Sequence, residues 1–424
     1  MTKVLEERPY QTAVHTRIMD AYDEGLESVM VVSPTGSGKT VMGLMAAKAI
    51  QAGDETVGVA WIAMRRTLLD QAADENRAVG VKNLILISAF ESNPEERLAG
   101  FEKTILVLDE AHHSAADTCV AMWDIVNPVF TIGLSATPQR TDNLKLCFQR
   151  VIQEAGYHRL IQDGYLASYA HWILNHYTPK SVAEAYLAQP EQWGRTAIFF
   201  RTAEECYECC DLLFLGGAKV AVVTATTDRE QQLEDFESGK LDVLINMMVL
   251  SEGWDCPSLR TVFVRDSEKG PTIQMAGRVL RKWAAYALKN IVQSGGTNWN
   301  FGRTALPKIS YTQSGDSWLS LTPNTALLLE AIKAADARML AQANSFNLDP
   351  TSTRFLSALH NKAARAKRAK KLSSTSTATA EASTDPDDFI LGTTPPPKAA
   401  PKAPRAPKRA IGTVPVEEVV SRAA

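Results

Sequence analysis

Ser33-Pro-Thr-Gly-Ser-Gly-Lys-Thr40 packs two glycines, a lysine and several hydroxyl side chains into one short run, a composition suited to holding phosphate. It follows the apolar run Val29-Met-Val-Val32 and precedes a helix-like segment from Val41 to Ile50, so the order reads strand, Gly-containing loop, helix. Gly36 and Gly38 tolerate backbone angles that other residues resist, which lets successive N–H groups converge on an anion. The helix behind them adds the positive end of its dipole. On this reading Thr35, Gly36, Ser37 and Gly38 cradle phosphates, Lys39 reaches the β- and γ-phosphates, and Thr40 ligates Mg²⁺. Ser33 stands where the strict pattern has its first glycine.

A second group turns phosphate binding toward hydrolysis. Thr104-Ile-Leu-Val-Leu108 reads as a short buried strand that delivers Asp109-Glu-Ala-His112 at its C-terminal end, where ligands bind in open α/β sheets. Asp109 fits a Mg²⁺ ligand, and Glu110 fits the carboxylate that positions or deprotonates an attacking water. Far along the chain, Gln274, Arg278 and Arg281 fall at i, i+4 and i+7 after Pro271, a spacing that predicts one helical face.

These residues resemble the motifs of superfamily 2 helicases. Lys39 with its loop, Asp109-Glu-Ala-His112 and Ser135-Ala-Thr137 are similar to motifs I, II and III. Arg195 to Thr202, Val243 to Asp255 and Gln274 to Arg281 follow in order as motifs IV, V and VI. Arg8-Pro-Tyr-Gln11 resembles the adenine-reading segment ahead of motif I. The nearest pattern is the branch with type III restriction-enzyme motor subunits and related phage and repair helicases, and the resemblance spans roughly residues 5–285.

That resemblance implies ATP and Mg²⁺ as cofactors in a cleft between two RecA-like domains. Arg278 and Arg281 would act as arginine fingers, worth ~10³–10⁵ in rate in comparable phosphoryl transfer, and Gln274 would contact the γ-phosphate or its water. Gln11 would read the adenine edge, with Tyr10 or Arg8 stacking on the ring. Gly253 and Asp255 would contact nucleotide or organise the cleft. His112, Ser135 and Thr137 would couple the cleft to nucleic acid. Arg65, Arg66 and Thr202 would hold the strand, while Trp254 reads better as a packing residue than as a base wedge.

The elements that must position these groups follow from periodicity. Short strands near 29–34, 57–63, 83–88, 104–109 and 130–135 alternate with helix-like segments, and 197–201, 219–224, 243–249 and 261–265 repeat the pattern. The expected class is α/β: two tandem doubly wound parallel-sheet domains, at 1–165 and 166–290. A small accessory region with short strands and a helix is expected at 291–360, and a disordered basic tail at 361–424.

Composition fits an intracellular enzyme: 424 residues, 45% apolar, 22% charged and net charge −3. No signal peptide or membrane-length apolar run is read, and the expected location is cytoplasmic, in the manner of a phage-encoded or bacterial protein. Six cysteines in so long a chain point to a reducing compartment, and Cys206, Cys209 and Cys210 read as buried thiols on one helix. Charge is uneven. Residues 361–424 carry 12 Lys and Arg against 6 Asp and Glu, and the rest of the chain 33 against 42. The tail is thus the basic arm, expected to meet phosphates or a protein partner. The reading is a motor on nucleic acid, with DNA favoured. An RNA helicase or remodeller, and an ATP-switched clamp without strand separation, stay open.

Overall fold

The computed structural model describes residues 8–91, 93–98, 101–113, 117–137, 148–224, 226–247, 250, 254–321 and 325–344. Gly253 and the basic tail lie outside the described residues. A first sheet is built from β1 (Ser28–Val32), β2 (Gly58–Ala63), β3 (Leu84–Ser88), β4 (Thr104–Leu108), β5 (Phe130–Ser135) and β6 (Arg150–Ile152). Its order is β3-β2-β4-β5-β1-β6, with every pair parallel. Strands β1, β2, β4 and β5 are buried along their whole length. They read as continuous apolar runs because parallel sheets are covered on both faces. The helices are α1 (Pro9–Asp23), α2 (Lys39–Gln51), α3 (Arg66–Val79), α4 (Pro94–Leu98) and α5 (Asp117–Val126).

After α6 (Tyr157–Gln162), the second sheet contains β7 (Ser168–Leu174), β8 (Thr196–Phe199), β9 (Val220–Val223), β10 (Val243–Asn246), β11 (Thr261–Val264), β12 (Leu288–Ser294), β13 (Ile309–Ser314) and β14 (Ser317–Leu321). Its order is β14-β13-β7-β12-β11-β8-β10-β9, parallel except for the β13–β14 hairpin. Helices α7 (Pro179–Ala188), α8 (Pro190–Trp193), α9 (Ala203–Leu215), α10 (Arg229–Ser238) and α11 (Lys269–Gly277) accompany it, and α12 (Thr325–Asn344) follows. The boundary expected at 290/291 therefore falls inside β12. That strand pairs on both sides, with β11 and β7, so the chain after it extends the second sheet rather than beginning a separate region.

One apolar cluster runs from the α1/α2 side of the first sheet through Tyr157, Leu160 and Leu166 to Ile273, Met275 and Val279 beside the second. The outer faces have their own cores, around Trp123 and Phe148 for the first sheet and around Trp172, Trp193 and Phe200 for the second. Trp193 is fully buried, and its indole N–H donates to the Ala185 carbonyl at 2.8 Å. Truncating such a side chain to Ala costs about 3–5 kcal/mol. Cys206 and Cys209 are buried in this outer core, where burial raises both thiols, Cys206 to about 12 and Cys209 further still.

Candidate functional site

The phosphate-loop segment leaves β1 and turns through two left-handed glycines. Gly36 has φ +83° and Gly38 φ +82°, and Gly38 caps α2. A side chain at Gly38 would be strained by that angle and would also meet Gln11 Nε2 at 2.7 Å. The loop is held from beneath. Tyr10 Oη and Gln11 Nε2 both donate to the Ser37 carbonyl, at 2.6 and 3.0 Å, and Ser33 Oγ donates to Ser37 Oγ at 2.7 Å. Pro9 opens α1 as its first residue, and Gln11 Oε1 caps it by accepting from Arg8 N at 3.0 Å. Each end of the Gln11 amide has one hydrogen-bonding position left, a second N–H and a second lone pair, the paired donor and acceptor that an adenine edge complements.

Lys39 is 9% exposed, and burial lowers its ammonium while Glu110 and Asp109 oppose that shift. Asp109 and Glu110 end β4 and are buried. Burial, then the neighbouring Glu110, pushes Asp109 up to about 7. Asp109 Oδ1 accepts from Glu110 N at 3.0 Å, whereas Asp109 Oδ2 and Glu110 Oε2 are buried without hydrogen-bond partners. Glu110 itself has φ +49°, an uncommon angle for a side chain with a Cβ, which costs of order 1–3 kcal/mol and is found where a site over-determines the backbone. Two buried carboxylates with open oxygens beside Thr40 are the donor set that a hard divalent cation takes, and such a cation would reverse the upward push on Asp109.

From the second sheet, α11 brings Gln274, and the 3-10 turn Arg278–Leu280 brings Arg278. The helical face expected from i, i+4, i+7 spacing is corrected here. The α-helix begins at Lys269, two residues before Pro271, and ends at Gly277, and Arg281 is extended with φ −68° and ψ 138°. Gly277 is where the chain departs: a Cβ there would lie 2.5 Å from Tyr157 Oη. Arg278 and Arg281 still reach one cleft. Arg278 is buried and its Nη1 donates to the Trp254 carbonyl at 2.8 Å. Arg281 Nε pairs with the Asp255 carboxylate, and its Nη1 is buried without a partner.

One hydrogen-bond chain crosses from sheet to sheet. Ser135 Oγ donates its single proton to the Thr137 carbonyl at 2.8 Å. It must then accept from His112 Nδ1 at 3.2 Å, as it does from Thr137 N. With Nδ1 as the donor, His112 Nε2 is left to accept from Gln274 Nε2 at 3.1 Å.

The cleft between these elements has a volume of about 290 Å³ and is walled by Arg8, Gln11, Thr35, Gly36, Gly38, Lys39, Thr40, Asp109, Glu110, Asp255, Arg278 and Arg281. Tyr10 is not on the wall. It packs edge-on against Tyr165 and supports Ser37 from behind, so the expected stacking on a base is not its place; Arg8, whose guanidinium lies 5.4 Å from the Tyr165 ring, is at the wall. Arg65 caps α3 and Arg66 is exposed, both at the C-terminal end of β2. Thr202 caps α9, its hydroxyl accepting from Glu205 N at 3.2 Å. Trp254 packs against Phe236 with ring centroids 5.8 Å apart and also borders the cleft.

Sequence reasoning missed several groups. Leu68, Gln71 and Glu75 of α3 line the cleft. Tyr157 is buried, accepts from Thr35 N at 3.0 Å and donates to Thr35 Oγ1 at 3.1 Å, so it joins the phosphate-loop segment to the Gly277 approach. No motif marks it. The polar Gly277 neighbourhood was the available signal, since a glycine before an arginine pair leaves room for a close contact.

Comparison with known proteins gives two family matches. The type III restriction enzyme res subunit family matches residues 4–85 and 81–140, and the helicase conserved C-terminal domain family matches 179–282. Together they cover more than half of the chain. A 51.5 kDa protein of a Lactococcus phage is 26% identical over 260 residues, 54% of this chain and 56% of its own. A putative mitochondrial ATP-dependent helicase, irc3, of Schizosaccharomyces pombe is 26% identical over 339 residues, 65% of this chain and 55% of its own. The chain thus spans about half the length of the curated relatives it matches. Among solved structures, an ATP-dependent type ISP restriction-modification enzyme, LlaBIII, bound to DNA superimposes with TM-score 0.53 at 14% identity, covering 80% of this chain and 30% of that one. At that identity the likeness speaks to the fold: α/β, with two RecA-like domains.

Proposed function

Since the chain belongs to the superfamily 2 helicases, on the branch related to type III restriction motors, we propose that it is an ATP-hydrolysing motor that translocates on or unwinds DNA. The observation that carries this reading is the shared cleft, in which Lys39, Asp109 and Glu110 of the first sheet face Arg278 and Arg281 of the second. Phosphate-binding loops alone serve many reactions; arginines delivered from a second sheet are what a motor requires, because hydrolysis is then tied to closure of the cleft.

Bound Mg-ATP would supply the γ-phosphoryl group and a divalent cation, held by Thr40 and Asp109, with the phosphates against Gly36, Gly38 and Lys39. Gln11 presents its spare donor and acceptor to the base. Glu110 would hold the proton of the attacking water through Oε2, which accepts no hydrogen bond and has His112 Nδ1 beside it at 3.5 Å. Arg278 and Arg281 place positive charge where the departing phosphoryl group gains negative charge. The chain Gln274–His112–Ser135–Thr137 would carry the state of the cleft to Thr137, just past β5, and from there toward bound nucleic acid.

A strand-displacement assay tests the reading. Forked DNA duplexes and matched RNA duplexes are offered with ATP. ATP-dependent release from DNA supports it; release from RNA alone would make the protein an RNA remodeller. Stimulated hydrolysis without release or movement would make it an ATP-switched clamp.

A further inference from the structure

Of the four strands that end the two sheets, three have their outer edges occupied. The Asn83 carbonyl accepts from β2, so by alternation the Leu86 carbonyl of β3 faces out. Arg97 Nη1 donates to it at 2.5 Å, and Ser88 N donates to Glu91 Oε2 at 3.3 Å. On β9 the Lys219 carbonyl faces β10, so that of Val222 faces out, and Gln232 Nε2 donates to it at 2.9 Å. Strand β6 is three residues long, and α12 packs against it. Strand β14 differs. Among the described residues nothing pairs with it on the side away from β13, and no side chain bonds the backbone of Trp318 or Ser320.

The register of the β13–β14 hairpin shows which groups are open. Gly315, with φ +59°, and Asp316 separate the paired Ser314 and Ser317. A two-residue turn is flanked by a hydrogen-bonded pair, and such pairs alternate along an antiparallel ladder. Ser317, Leu319 and Leu321 therefore direct their backbone groups to β13, while those of Trp318 and Ser320 face out. The Trp318 side chain turns into the outer core, edge-on to Trp172 at 5.1 Å and to Trp193 at 6.0 Å, which fixes the hairpin. Leu319 and Leu321 lie on the opposite face, 54% and 38% exposed. From Ile309 to Leu321 the one charged side chain is Asp316, in the turn. Strand β14 thus has neither the proline nor the lysine that commonly guards an edge. The hairpin also lies past residue 282, where the helicase C-terminal family match ends.

We propose that β14 is an interface for a second copy of this chain, with the two β14 strands antiparallel about a two-fold axis. The occupant follows from self-complementarity, since an isologous contact sets a patch against itself. Trp318 of each copy pairs with Ser320 of the other, which closes the outward N–H and C=O groups of both residues. Leu319 then meets its own copy on the axis, at a non-hydrogen-bonded position, where side chains come closest. No charge stands there to oppose it, and an uncharged strand offers a charged partner nothing to pair with. The contact joins two eight-stranded sheets edge to edge. It leaves the nucleotide cleft free, because no residue of β13 or β14 borders that cleft. The proposal is independent of the motor reading.

The test is the oligomeric state of the full chain, followed by sedimentation velocity over a range of micromolar concentrations without nucleotide or nucleic acid. Wild type should pass from monomer to dimer as concentration rises, doubling the sedimenting mass. Leu319→Lys and Leu319→Glu should each stay monomeric, because like charges then face each other across the axis. An equimolar mixture of the two should dimerise again, since opposite charges then meet; a position that does not face its own copy would not behave so. Both variants should melt at the wild-type temperature where wild type is monomeric, as the replaced side chain is exposed. Ser320→Pro removes an outward N–H and no bond to β13, and should by itself keep the chain monomeric. A wild type that stays monomeric throughout would overturn the proposal and leave the edge to a strand of another protein. A dimer that persists in any single variant, or a mixture of the charged variants that stays monomeric, would place the contact elsewhere and overturn it equally.

Discussion

Around the cleft, the side chains of the first sheet are tied to one another before any ligand enters. Tyr10, Gln11, Ser33 and Ser37 hold the loop, and Tyr157 holds Thr35. The groups from the second sheet are anchored mainly on their own side of the cleft. Arg278 is fixed to the Trp254 carbonyl and Arg281 to Asp255, and across the gap Gln274 bonds to His112. On the proposed reading, nucleotide capture would be preorganised on one side, and the catalytic charge would come from the other. The sheets also differ inside. Strands β1 to β5 contain no ionisable side chain, whereas β7 and β12 bury His171 and Lys289.

Three effects bear on that asymmetry. The largest effect should come from the preorganised side. Lys39→Ala should lower ATP turnover by ~10²–10³ and weaken nucleotide binding, as loss of a fixed charge does. Glu110→Gln should lower turnover by a similar factor, within the ~10²–10⁴ of general-base catalysis, yet leave binding of a fluorescent nucleotide near wild type. Equal loss of binding in both variants would show that Glu110 holds the ligand rather than the water.

The second effect concerns pH and the second sheet alone. Burial lowers His171 to about 4, against the usual value of 6.5, with a hydrogen bond to Gln293 opposing. The unfolded chain takes up the proton first as pH falls. Stability is then complete above about pH 6.5 and declines toward pH 4, by about 3 kcal/mol in all. Fluorescence of Trp172, Trp193 and Trp318, which pack together on the outer face of this sheet, should report a melting temperature that drops over that window. His171→Gln should flatten the dependence; a parallel drop in the variant would assign it elsewhere.

The smallest effect is expected at the strut. Tyr157→Phe removes both hydrogen bonds to Thr35, at about 1 kcal/mol each, and should slow turnover roughly ten-fold with a modest fall in melting temperature. Full turnover in Tyr157→Phe would reduce the strut to packing.

Local chemistry was legible in the chain, and tertiary chemistry was not. The loop at 33–40 and the acidic strand end at 109–112 declare themselves because their residues are contiguous and flanked by apolar strands. Strands β7 and β12 escaped an apolar-run reading because their interiors are polar. Lys289 donates to the Pro257 and Leu259 carbonyls at 2.7 and 2.5 Å, Asn290 accepts from Trp172 Nε1 at 3.0 Å, and Gln293 bonds His171. Each buried polar group is satisfied, so the strand is stable, but its pattern imitates a loop. Arg281 was placed on a helical face by carrying a period past Gly277, where the α-helix gives way to the 3-10 turn Arg278–Leu280 and then to extended backbone. Tyr157 had no local signature; its meaning lies in a partner more than 100 residues away, Thr35.

The account turns on the claim that catalytic charge comes from the second sheet. It is tested most directly by following ATP hydrolysis while single-stranded DNA is titrated into wild type, Arg278→Ala and Arg281→Ala. Wild-type turnover should rise to saturation. Each variant should stay about 10³-fold below it at every DNA concentration while binding nucleotide within a few-fold of wild type. If both variants hydrolyse ATP with near-wild-type stimulation, the cleft does not work as a two-sheet catalytic site.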